Sequence, residues 1–99
     1  MKTELTGKQR AQLRSMANDF DTIFQIGKGG ITQETVYQID NALEARELIK
    51  LRVLDACPHT SREAADIIAE RTNSAEVSVV GTRFVLYRKS RKNPQIILK

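Results

Sequence analysis

The chain reads as an α/β protein: a single compact domain in α-β-α-β-α-β-β order, a mixed four-stranded sheet packed with three helices. Three observations predict this class. Segments with apolar residues at helical spacing alternate with short strand-like runs, which implies at least one parallel strand pair. The last two strand-like runs, 76–80 and 83–88, flank Gly81-Thr82, a tight-turn signal that closes an antiparallel hairpin. The 99 residues hold no repeat, low-complexity tract or Pro/Gly/Ser linker, so they make one domain, 1–99. Its core is expected over about 4–89, with a basic tail at 90–99.

Each element has its own local cause. Thr6 can cap the first helix, and Gln9, three residues on, completes a capping box. Leu13, Met16, Ala17 and Phe20 recur at helical spacing as its inward face, leaving Lys8, Arg10 and Arg14 outside. Asn18, Asp19 and Asp21 break that pattern, and residues 22–26 read as a short strand. Thr32 caps the second helix, which turns Val36, Ile39, Ala42 and Leu43 inward and places Glu34 in its first turn, where negative charge is favourable. In residues 47–54, Ile49, Leu51 and Val53 face one way. Leu48, Lys50, Arg52 and Leu54 face the other, a mixed set that brings Lys50 and Arg52 out near an edge or open surface. Pro58 ends this region. A second capping box, Thr60 with Glu63, starts the third helix, which runs through Ala64, Ile67, Ile68 and Arg71 to Asn73 and Ser74. Alternation sends Tyr87 toward the core with Val85; its other reading is a stacking platform beside Arg88.

Charge is segregated. Residues 1–14 carry +3, residues 15–82 carry −5 and residues 83–99 carry +6, which sums to the net +4. An acidic middle between basic ends points to a directed patch, the footprint expected of a nucleic-acid partner. The single Cys57 can form no internal disulfide, and the first residues hold no apolar signal segment, so a cytoplasmic protein without membrane attachment is expected. Nothing proposes an enzyme. A dinucleotide loop needs a third glycine where Thr32 stands, and no glycine precedes Gly27-Lys28 at the spacing of a P-loop. Cys57 and His59 alone are too few for a structural metal site. No cofactor and no small-molecule substrate are implied.

The motif that carries chemistry is Ile26-Gly27-Lys28-Gly29-Gly30-Ile31-Thr32. It joins a strand-like run to the head of a helix, where free amides and the positive end of the helix dipole suit a phosphate. Glycine lets another backbone approach, because it has no Cβ. Amides around Gly29, Gly30 and Ile31 are therefore expected to hold RNA phosphates, with Lys28 pairing to a neighbour. Arg10 and Arg14, Lys50 and Arg52, and Arg83 with Arg88 would extend the contact along the backbone, with Lys8 nearby. Such contacts position RNA without reading its sequence. Two rival readings remain open. One is a K-homology-like module that clamps single strands, for which the segment Ile23–Ile26 would be helical. The other is a protein-interaction domain whose basic tail docks an acidic partner.

Four segments resemble the CRM domain family (chloroplast RNA splicing and ribosome maturation) in its stand-alone bacterial form. They are Leu5 to Arg10, Ile26 to Thr32, Glu47 to Val53 and Val80 to Arg88, in the family's order. The resemblance implies a fold akin to the C-terminal domain of bacterial translation initiation factor three. It also implies binding to structured ribosomal RNA on precursors of the large (50S) ribosomal subunit, with the family's Gly-x-x-Gly loop falling on Gly27, Lys28, Gly29 and Gly30.

Overall fold

The computed structural model describes residues 3–99. Its elements are α1 (Gly7–Ala17), β1 (Phe24–Ile26), α2 (Gln33–Arg46), β2 (Leu48–Val53), α3 (Ser61–Thr72), β3 (Ala75–Val80) and β4 (Arg83–Tyr87), the order expected. The sheet runs β1-β2-β4-β3. β1 lies parallel to β2, and β4 lies antiparallel to both β2 and β3.

The helix starts follow from their caps. Thr6 Oγ1 accepts from the Gln9 amide at 3.1 Å while Gln9 Oε1 accepts from the Thr6 amide at 3.1 Å. Thr60 and Glu63 repeat the arrangement at 3.1 and 2.9 Å, and the Thr60 amide holds the Glu63 carboxyl below the usual carboxylate range. Each box satisfies two amides that the helix itself cannot. Asn73, in the left-handed region at φ 56°, ends α3.

The sheet is covered on both faces. Ile49, Leu51, Val53, Phe84 and Leu86 pack against Ile39 and Leu43 of α2 and Ala64, Ala65, Ile68 and Ala69 of α3. The small alanines let α3 lie close to the strands. On the other face, Leu48, Val77, Val85 and Tyr87 meet Leu13 and Ala17 of α1, with half-buried Leu5, Met16, Ile96 and Leu98 around them. Tyr87 is therefore a core residue, and burial pushes its phenol up. α1 is too short to cover this whole face. It ends at Ala17, where Asn18 and Asp19 turn the chain and the Phe20 amide donates to the Ala17 carbonyl. Phe20, expected inward, is consequently exposed.

Residues 90–99 form no regular element, yet they are tied down. The buried Glu47 accepts the Ser90 amide at Oε2 and the Gln95 and Ile96 amides at Oε1, each at 2.7 Å. Burial alone would push its carboxyl up, and these amides outweigh that and hold it below the usual range. Glu44 accepts from the Ser90 hydroxyl and the Arg91 and Lys92 amides, which lowers it to about 2. Farther along, Gln12 donates to the Ile97 carbonyl at 2.8 Å and accepts from the Lys99 amide at 3.0 Å. Part of the charge segregation is thus internal: acids late in α2 hold the basic end of the chain.

No helix among the described residues is long and apolar enough to cross a membrane. Among the same residues, no group of three or more His, Cys, Asp or Glu is placed to hold a metal ion.

Candidate nucleic-acid interface

Gly27–Gly30 forms a tight turn in which the Gly30 amide donates to the Gly27 carbonyl at 3.0 Å, leaving Lys28 and Gly29 exposed at its tip. The three glycines differ in what the fold asks of them. Gly30 has φ 68°, and a Cβ there would stand 3.1 Å from Pro58 Cγ, so it is required structurally. A Cβ on Gly27 would make ordinary contact with Leu54 at 3.6 Å. Gly29 has no positive φ, and a Cβ there would meet nothing within 4 Å.

The expected phosphate-binding amides need one revision. The Gly30 amide is spent on the turn itself, whereas those of Gly29 and Ile31 have no partner among the described residues. The Ile31 side chain packs on the core beneath α2 and α3. The Thr32 hydroxyl caps α2, accepting from the Thr35 amide at 3.1 Å. These two residues contribute backbone and shape rather than side chains. Glu34 in the first turn accepts from Gln38 at 3.3 Å.

The loop leaves the end of β1 beside the end of β2, where the Leu54 amide donates to the Ile26 carbonyl at 2.9 Å. The hairpin turn lies at the same end, since the Val53 amide donates to the Thr82 carbonyl at 2.8 Å. Strand register then sets Gln25, Arg52, Arg83 and Val80 in one row across the sheet, on the part of the α1 face that the helix does not reach. Lys50 stands in the next row with Val85 and Ser78. Arg14, in the last turn of α1, joins Lys50 and Arg83 around a shared hollow. Arg52, Arg83, Lys50 and Arg14 so come together from two strands and a helix, and Lys28 stands exposed on the loop at the same end of the sheet. None of them enters an ion pair among the described residues.

Three basic residues expected with them lie elsewhere. Arg88 is only 4% exposed, with its guanidinium 3.4 Å from Asp40 Oδ1 and 3.5 Å from Glu44 Oε1. It is an internal cation, which corrects its place in the surface set. Alternation along β4 sends Arg88 to the side of Phe84 and Leu86, which α2 covers, so its guanidinium meets the acids of that helix rather than solvent. Arg10 is half buried, and its Nε donates to the Glu76 carbonyl at 3.2 Å. Lys8 is exposed but lies about 120° round the helix from Arg14. Gln25 went unnoticed in the sequence. Alternation alone fixes its side of the strand, but only register makes it the neighbour of Arg52.

A strand, not a helix, precedes the glycine turn, which removes the premise of the K-homology-like reading. The basic tail keeps Lys89, Arg91, Lys92 and Lys99 exposed, while its backbone is held by this chain's own acids.

A mixed sheet sandwiched by helices, with a glycine turn between its first strand and second helix, defines the class. The chain belongs to the CRS1 / YhbY (CRM) domain family, whose model matches residues 5–88. It is 45% identical over 94 residues to the "Probable RNA-binding protein YqeI" of Bacillus subtilis, covering 95% of this chain and 98% of that one. An "RNA-binding protein" of Haemophilus influenzae is 34% identical over 88 residues, covering 89% of each. Among solved structures, a Staphylococcus aureus protein matches with TM-score 0.80 and 48% identity. That alignment covers 97% of this chain and 100% of that one.

Proposed function

We propose that this protein is a non-enzymatic RNA-binding protein that grips the backbone of structured ribosomal RNA during assembly of the large ribosomal subunit. The observation that carries the reading is Gly29. It is a glycine that neither backbone strain nor crowding within the fold demands, at the exposed tip of a turn next to Lys28 and at the end of the sheet that carries Arg52 and Arg83, which are free of ion pairs among the described residues. Its bareness serves a surface that comes from outside. The relatives' names support RNA as that surface. The ribosomal destination follows from the family resemblance.

In this reading the Gly29 and Ile31 amides hold a phosphate and Lys28 an adjacent one. Arg52, Arg83, Lys50 and Arg14 continue along the strand. Recognition rests on shape and charge, since no aromatic side chain stands among these residues. Neutralising about five phosphates gives a slope of roughly −3 to −4 for log affinity against log salt. Fluorescence anisotropy with ribosomal RNA fragments across a salt series measures it. A flat salt response refutes the mechanism. Absence from pre-50S fractions of a sedimented extract refutes the ribosomal assignment.

A further inference from the structure

The basic surface is not flat. Beside the end of α1, the sheet forms a hollow of about 220 Å³. Arg14, Lys50 and Arg83 line it from three different elements. Its floor is apolar, made by the buried Ala17 and Val85, and Val80, 73% exposed, stands at its rim. Asn18 and Ser78 add an amide and a hydroxyl to the wall. Among the described residues, no carboxylate lines it.

This combination is more than a phosphate needs. A phosphate uses the cations and has no use for a valine floor, while an apolar ligand uses the floor and has no use for the cations. A nucleotide uses both. Its base lies on the apolar floor, and its edge meets Asn18, which both donates and accepts, and the Ser78 hydroxyl. Its phosphates remain with the arginines. The volume is below the roughly 300 Å³ at which pockets for drug-sized ligands begin, so it suits one heterocycle rather than a base pair.

We infer that this hollow takes a single unpaired nucleotide of the bound RNA, so that the protein prefers a helix carrying a bulged or looped-out base over a continuous duplex. The inference rests on the RNA-binding reading and adds a ligand class to it. Val80 at the rim is then a lip against the inserted base, which accounts for an exposed valine beside the hairpin turn.

The test uses two RNA hairpins that differ only by one bulged 2-aminopurine nucleotide. The wild-type protein should bind the bulged hairpin about tenfold more tightly, as expected from burying roughly 60 Å² of the base's apolar face. The 2-aminopurine fluorescence should change on binding. Ser78→Met fills the hollow and Asn18→Ala removes the amide. Either variant should abolish the preference, and Asn18 at the exposed end of α1 keeps the test available if Ser78→Met does not fold. Gly29→Asp should weaken binding to both RNAs and keep their ratio. Equal wild-type affinity for the two hairpins, or an undiminished preference in both hollow variants, overturns the inference. A wild-type protein that binds neither hairpin overturns the RNA-binding reading and this inference together.

Discussion

Adjacent glycines in the Gly27–Gly30 turn should respond to alanine in opposite ways. At Gly30, φ is 68° and a new Cβ would sit 3.1 Å from Pro58 Cγ. Left-handed backbone costs a residue with a Cβ about 1–2 kcal/mol, and the ring contact requires Pro58 to give by a few tenths of an ångström. Gly30→Ala should therefore lower Tm by about 5–10 °C, given the size of the domain. At Gly29 the backbone is unstrained and the space around the missing Cβ is empty. Gly29→Ala should leave Tm unchanged or slightly raised, because alanine restricts the unfolded chain. Binding should separate the other way. Gly29→Asp brings a negative charge within about 5 Å of the expected phosphate, a repulsion of about 1–2 kcal/mol at an intermediate dielectric, so affinity should fall about tenfold or more. Calorimetry of both alanine variants and anisotropy of Gly29→Asp check the pair. If Gly29→Ala melts as low as Gly30→Ala, or folded Gly29→Asp binds RNA as the wild type does, the assignment of Gly29 to an outside partner is wrong.

The remaining predictions concern the cations, the tail and a cap. Arg83→Ala should lower RNA affinity and flatten the salt slope by about one unit, with Tm unchanged. Arg88→Ala should do the reverse, leaving affinity unchanged and costing about 1–2 kcal/mol, since the buried arginine's packing is lost while Asp40 and Glu44 stay partly open to water. Denaturant melts and binding on folded protein distinguish the two. Glu47→Gln presents an amide where three N–H groups converge, and should cost about 2–3 kcal/mol while exposing the Ser90, Gln95 and Ile96 amides to hydrogen exchange. In acid the wild type should follow. Glu44 and Glu47 titrate lower folded than unfolded, so their stabilisation is present above the ordinary value of 4.5 and is lost as pH falls through their folded values, about 2 for Glu44. Amide exchange over residues 90–96 across that range measures it. Thr60→Ala removes one capping box and should cost about 1 kcal/mol in a urea melt.

Local chemistry made much of this fold readable from the residues in order. Thr6 with Gln9 and Thr60 with Glu63 start helices through bonds that span three residues. The alternation of Leu48 to Val53 sorts its side chains whatever the strand is paired with, and Gly81 supplies a hairpin turn by its own backbone freedom. The glycine turn was legible for the same reason.

Burial, pairing across strands and the fate of each charge depend on groups far apart in the chain, and only the tertiary structure decided them. Register set Arg52 beside Arg83 and both beside the loop. The end of α1 at Ala17 left part of the sheet bare and so opened the hollow beneath Arg14. Arg88 looks in sequence like any other member of a basic run. Its burial against Asp40 and Glu44 follows from helix packing, because a charge joins an interface or an internal pair according to which neighbours the fold brings within hydrogen-bonding reach.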